Sequence, residues 1–137
     1  AGHPDIKVEK ILANDWDPEA AKIIKKNFDF NGIDCEQEIT SLDATDLMYG
    51  KKAKKEWFDV VDLDPYGSAV PFLDSALQAI NNGGFLCVTF TDLAVLAGAK
   101  YDICYYKYYG LQTHKDYCHE MALRLVLHTI AASANKY

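Results

Sequence analysis

The feature that most constrains this chain is an alternation. Short apolar runs recur down the sequence, and stretches with helical spacing separate them. "VEKILAND" is rich in β-branched and aliphatic residues and ends at Asn14-Asp15, as a strand would. "DPEAAKIIKKNFDFNG" follows with helix-start chemistry: Asp17 can cap, Pro18 suits the first turn and Glu19 faces the positive end of the dipole. Ala20, Ile23, Ile24 and Phe28 keep helical spacing, and Asn31-Gly32 supplies a stop. "CEQEITSLDA" reads as a second, weaker strand ending near Asp43, and "TDLMYGKKAKKE" as a short helix or irregular crossover. "WFDVVDLD" is a third strand. "SAVPFLDSALQAINNGG" is a second helix, with Pro71 in its first turn and Asn82-Gly83-Gly84 closing it. "FLCVTFT" has the continuous hydrophobicity of a strand buried on both faces. "YDICYYKYYG" reads as aromatic and irregular. A long amphipathic helix is expected from about Lys115 to Ala134, with Cys118, Ala122, Leu125, Val126, Thr129 and Ile130 as its apolar stripe. This order of elements predicts an α/β fold on a mostly parallel sheet with flanking helices.

With 137 residues the chain amounts to one ordinary domain at most. Its net charge of -6 argues against a surface that attracts nucleic acid all over, so any RNA contact must be local. The lysine cluster "KKAKKE" reads first as a solvated loop or frayed helix end. Cys35, Cys87, Cys104 and Cys118 form no CxxC pair, and Cys87, inside an apolar strand, is expected to be a buried thiol. Cysteine usage therefore fits a reducing compartment inside the cell: nucleus, cytosol or mitochondrion. Cys104, His114, Cys118 and His119 match no zinc spacing, and no metal is expected. No apolar run approaches the ~20 residues of a membrane span, and "AGHPDIKVEK" lacks the apolar core of a secretory signal.

Parallel α/β sheets bind ligands at the carboxyl ends of their strands. Three of the four expected strands end in acid: at Asp15, at Asp43, and at Asp62 and Asp64. A carboxylate at the end of an early strand commonly grips ribose hydroxyls, which suits Asp15. Asp43 with Ala44 can receive an adenine, the carboxylate accepting from its exocyclic amine. For both acids the alternative is a solvated loop residue or a helix cap. Neither GxGxxG nor GxxxxGK[ST] occurs. "DPYG", residues 64–67, is sharper. An acid, a proline and an aromatic at a strand end suit chemistry on an aromatic amine: the carboxylate orients the nitrogen while the ring stacks on the base. The alternative is a helix-entry turn capped by Asp64.

"FDVVDLDPYGSAVPFLDSALQAINNGGFLCVTFTDLAVLAG" resembles the tRNA guanine-26 N2-dimethyltransferase family. "CHEMALRLVLHTIAASANKY" is similar to that family's following helix and "NDWDPEAA" to its second cofactor motif. The resemblance covers nearly the whole chain. It implies a class I, Rossmann-like methyltransferase fold that uses S-adenosyl-L-methionine to methylate the exocyclic amine of a tRNA guanine. It further implies that Asp15 holds the cofactor ribose, that Asp43 and Ala44 meet its adenine, and that Asp64 is the catalytic carboxylate. Pro65 stiffens the turn and Tyr66 stacks on the target base or lines its pocket.

The sequence departs from the family pattern before "ILAND", where the family has a first strand and a glycine-containing cofactor loop. The chain is therefore expected to be a fragment of a catalytic domain. Alone, it is expected to bind cofactor poorly and to self-associate through exposed strand edges, with tRNA met only through a longer enzyme. Two other readings stand beside this one. One is an amino-methyltransferase acting on another base, such as adenine N6, where a second proline typically replaces Tyr66. The other is a family member that has lost catalysis and serves as an RNA-binding or scaffolding module.

Overall fold

The computed structural model describes residues 7–113 and 115–137. The chain divides into two compact units, Ala1–Leu47 and Met48–Tyr137. In the first, β1 (Lys10–Asn14), α1 (Pro18–Phe30) and β2 (Glu36–Thr40) form a βαβ turn of chain, with the strands parallel and paired from Lys10↔Glu36 to Asn14↔Thr40. Lys10 Nζ bridges Glu36 and Glu38 on β2 at 2.6 and 2.8 Å. The helix starts as its sequence dictates: Asp17 Oδ1 accepts from Glu19 N at 2.9 Å and Pro18 fills the first turn. Ile24 and Phe28 are half-buried, whereas Ile23 is exposed. β2 stops at Thr40, three residues before the acid expected at its end, because Asp43 opens α2 (Ala44–Ala53) instead. The boundary between the two units falls within α2.

The second unit repeats the pattern with β3 (Phe58–Leu63), α3 (Val70–Ala79) and β4 (Ile80–Val88), the strands again parallel. α3 packs on the face carrying Val61 and Leu63, both buried. The described residues of this unit leave the opposite face open: Val60 and Phe85 are partners there, 56% and 72% exposed, and Asp62 pairs with Cys87. Cys87 is therefore exposed and β4 is covered on one face only, in contrast to the buried thiol and doubly buried strand that the sequence suggests.

Asn82-Gly83-Gly84 also serves a different purpose from the expected helix stop. Ile80 is already extended, its N–H donating to Ala76 O, and β4 begins there. Between the pairs Phe58↔Ile80 and Val60↔Phe85, residues 81–84 bulge opposite Asp59. Gly83 sits at φ +83°, and a Cβ on Gly84 would lie 2.8 Å from Asp59 O, so both glycines belong to the bulge.

Beyond β4 come α4 (Leu93–Leu96), α5 (Tyr101–Tyr108) and α6 (Cys118–Ala134). α5 occupies the stretch that reads as irregular. It lacks a broad apolar face because only Cys104 and Tyr108, four apart, turn inward, and Tyr109 ends it in the left-handed region at φ 54°. α6 starts at Cys118 rather than Lys115, after a turn in which Cys118 N donates to Lys115 O. Its expected stripe is the one that packs. Ala122, Leu125 and Val126 join Val95, Leu96, Cys104 and Tyr108 in one core cluster, and Thr129 is buried beside them. No helix among the described residues is long and apolar enough to cross a membrane.

Candidate active site

In the first unit, Asp15 directly follows β1, and Asp43 lies three residues beyond β2, at the entry to α2. Asp15 is exposed directly after β1; its Oδ1 accepts from Asp17 N at 2.8 Å and so shapes the entry to α1. Asp43 Oδ1 accepts from Thr45 N at 2.8 Å and Asp46 N at 3.1 Å, at the start of α2 where Ala44 is the first residue. Each acid thus does spend one oxygen on a helix entry, as the capping alternative held. Among the described residues, the other oxygen of each has no hydrogen-bond partner. Trp16 and Leu42, exposed beside them, supply apolar flanks. This acceptor set fits an adenosine moiety, with acid acceptors for hydroxyls and an amine beside apolar surface for the base.

Asn14, which sequence reading passed over as a strand end, fixes the two strand ends to each other. Its Oδ1 accepts from Thr40 Oγ1 at 2.8 Å and from Leu42 N at 3.0 Å, and its Nδ2 donates to Leu42 O at 3.0 Å.

In the second unit, Asp64 leaves the end of β3 exposed, and no described residue hydrogen-bonds its carboxylate. The capping alternative does not hold here: Ala69 occupies the cap position of α3, and Val70 N donates to Ser68 Oγ at 3.3 Å. Pro65 is half-buried, and Tyr66 stands fully exposed, at 106% of its reference area. Gly67 adopts φ +84°, the left-handed turn that lets the chain double back into α3.

Straps hold this tip on both sides. Thr89 N donates to Leu63 O at 2.8 Å just before it. Just after it, Gly67 N donates to Thr91 Oγ1 and Thr91 N to Gly67 O, each at 2.8 Å. Ser68 Oγ lies 2.8 Å from the hydroxyl of Tyr108, which is fully buried and also lies 2.7 and 2.8 Å from the two Asp92 carboxylate oxygens. A phenol carries one proton; with the carboxylate receiving it, the serine hydroxyl donates to the phenolic oxygen. Burial pushes the Tyr108 phenol above its ordinary range, the Ser68 hydroxyl opposes that, and Asp92 adds to it. Lys107 Nζ pairs with Asp92 at 3.3 Å. Neither Thr91 nor the Tyr108 group announces itself in the sequence. The one available signal is "TFTD", a polar exit from an apolar strand.

Tyr66, Gly67 and Ser68 also form one wall of an open groove of about 1010 Å³, with Tyr105, Tyr106 and Tyr109 of the α5 region on the other. Exposed rings on both sides make this a surface for flat, unsaturated groups. Cys104 is buried in the core, with its thiol pushed up by burial, and His114 lies outside the described residues.

Each unit carries a βαβ arrangement with acids at or beyond its strand ends, which defines an α/β fold, and comparison narrows the class. The chain belongs to the N2,N2-dimethylguanosine tRNA methyltransferase family, whose sequence profile matches residues 5–137. It is 46% identical over 130 residues to the tRNA (guanine(26)-N(2))-dimethyltransferase of Mus musculus, covering 95% of this chain and 20% of that protein. To the mitochondrial enzyme of that name from Saccharomyces cerevisiae it is 44% identical over 133 residues, covering 95% and 23%. Trm1 from Pyrococcus horikoshii, solved in complex with S-adenosyl-L-methionine, superposes with a TM-score of 0.85 at 33% identity, covering 95% of this chain and 38% of that one. The chain thus spans about a fifth of the length of these curated relatives.

Proposed function

We propose that this chain is part of the catalytic domain of a longer, S-adenosyl-L-methionine-dependent enzyme that methylates the exocyclic N2 amine of guanine 26 in tRNA. The observation that carries this reading, within the family, is the pairing of Asp64 with Tyr66: an acid without described partners and a fully exposed ring, two residues apart at a strand's carboxyl end. Asp15 would accept from the cofactor's ribose hydroxyls, and Asp43 with Ala44 would receive its adenine. When bound, the cofactor supplies an electrophilic methyl group on a sulfonium, a good leaving group.

The remaining chemistry falls to this chain's side chains. The guanine N2 lone pair is delocalised into the ring, so the amine is a poor nucleophile. Asp64 accepts an N2 hydrogen, holds the nitrogen in line, stabilises the positive charge that builds there and takes its proton. Tyr66 stacks on the base and Pro65 limits the turn's freedom. The reading is tested in the full-length enzyme by Asp64→Asn, which keeps size and one acceptor but removes charge. Single-turnover methyl transfer should fall about 10²-fold or more, with cofactor and tRNA affinities little changed. Asp62→Asn is the control. Wild-type rates for Asp64→Asn with loss for Asp62→Asn would assign the chemistry to the other acid.

The same reading has the isolated chain binding cofactor weakly or not at all, and self-associating through the edges of its two-stranded sheets. It places the longer enzyme inside the cell, in the nucleus, cytosol or mitochondrion, as the mitochondrial name of the yeast relative supports.

A further inference from the structure

Among the described residues, the tip formed by Asp64, Pro65 and Tyr66 is held by hydrogen bonds to its neighbours. Leu63 before it is bonded by Thr89, Gly67 after it is bonded twice by Thr91, and Ser68 is bonded by Tyr108. Asp92 sits at the cap position of α4, yet its carboxylate makes no cap and faces Tyr108 and Lys107. An acid at a helix start normally turns to the open N–H groups of the first turn. Here that acceptor is spent on a phenol at zero exposure, whose oxygen in turn receives the first hydroxyl beyond the tip. Buried polar groups joined this way are stiff, because breaking any one bond strands a partner away from water.

We propose that Tyr108 and Asp92, acting through Ser68, and Thr91, acting through Gly67, are positioning residues that set the direction of the Asp64 carboxylate and the Tyr66 ring. The inference rests on the reading of Asp64 as the catalytic carboxylate. A carboxylate displaced by about 1 Å loses alignment with the amine and costs up to about a hundredfold in rate. Cofactor held by other strand ends is unaffected. Tyr108→Phe removes the hydroxyl and keeps the packed ring against Phe90, whose centroid lies 5.9 Å away. Thr91→Val removes one half of the Gly67 strap at an exposed position, so it carries the test even where Tyr108→Phe weakens folding.

The test measures single-turnover methyl transfer in the full-length enzyme with saturating cofactor and tRNA, for each variant alone and combined with Asp64→Asn. Each single variant is expected to lower the rate about ten- to a hundredfold with cofactor affinity unchanged. In the Asp64→Asn background the further fall should be clearly smaller, because only the placement of the Tyr66 ring is left to lose. Wild-type rates for Tyr108→Phe and Thr91→Val, beside a slow Asp64→Asn, overturn this inference and leave the catalytic reading standing. Equal falls in both backgrounds also overturn it, since they mark a general loss of structure. A wild-type rate for Asp64→Asn alone removes the catalytic reading, and this inference with it.

Discussion

Gly67 and Thr91 hold each other twice, backbone to side chain and backbone to backbone, both at 2.8 Å across 24 residues of sequence. Gly67 meets this geometry at φ +84° with no atom crowding the place of a Cβ, so conformation and not space demands glycine. Gly67→Ala should therefore destabilise the protein by about 1 kcal/mol or more, read as a lowered urea midpoint with unchanged slope. An unchanged midpoint would mean that the turn relaxes freely.

Asp15 allows charge to be separated from local structure. Asp15→Asn keeps an oxygen to accept from Asp17 N and so keeps the entry to α1. It removes the charge proposed to grip a ribose, worth about 1.5–3 kcal/mol for a charge-assisted bond. Calorimetry on the full-length enzyme should show cofactor binding weakened about ten- to a hundredfold with the melting temperature unmoved. Equal affinity would remove Asp15 from the site.

Tyr66→Ala addresses the ring on its own. Base stacking is worth about 1–3 kcal/mol by such truncations, so tRNA binding or the apparent KM for tRNA should suffer while cofactor binding does not. Because Tyr66 is fully exposed, folding should be untouched. A variant that binds and methylates tRNA normally would assign the ring no role.

Asn14→Ala should destabilise the first unit by about 1–3 kcal/mol, since Thr40 Oγ1, Leu42 N and Leu42 O lose partners together. Hydrogen exchange would report it as faster exchange at Leu42 and at the end of β2. Unchanged protection there would make the contacts dispensable.

The pH dependence follows from Asp74 on α3. Hydroxyls of Tyr137 and Tyr49 donate to its carboxylate and hold it below the ordinary aspartate range. A depressed folded value gives stability that is present above about pH 4 and is lost as pH falls through the lower folded value. The melting-temperature gap between wild type and Asp74→Asn should thus be open at neutral pH and close in acid. On the alkaline side the Tyr137 phenol is pushed up to about 12, first by its bond to Asp74. That contribution is present below about pH 10 and fades as pH rises towards the folded value. A gap that is constant with pH would refute the linkage.

Much of this architecture is legible in sequence because local chemistry decides it. Asp17-Pro18-Glu19 can do little but start a helix, and an acid after an apolar run marks a strand's end in both units. The sequence offers capping as an alternative for Asp15 and Asp43, and each spends one oxygen that way. What stayed hidden depends on partners far along the chain. Cys87 reads as buried because its strand is apolar throughout, yet burial depends on what covers each face. α5 lacks a visible stripe because two inward residues suffice for eight. Nothing near Tyr108 shows that its hydroxyl meets Ser68, 40 positions earlier.

That last separation carries a consequence for the order in which the protein is made. The segment containing Asp64 is synthesised before Thr89, Thr91, Asp92 and Tyr108, and those later residues supply its fixed points. At about 5–20 residues per second, the tip spends its first seconds as an unshaped turn. It acquires its working form only when those partners are in place, the last of them Tyr108 on α5. A nascent chain stalled or cut short of Thr89 would carry the whole "DLDPYG" sequence and none of the bonds that fix it.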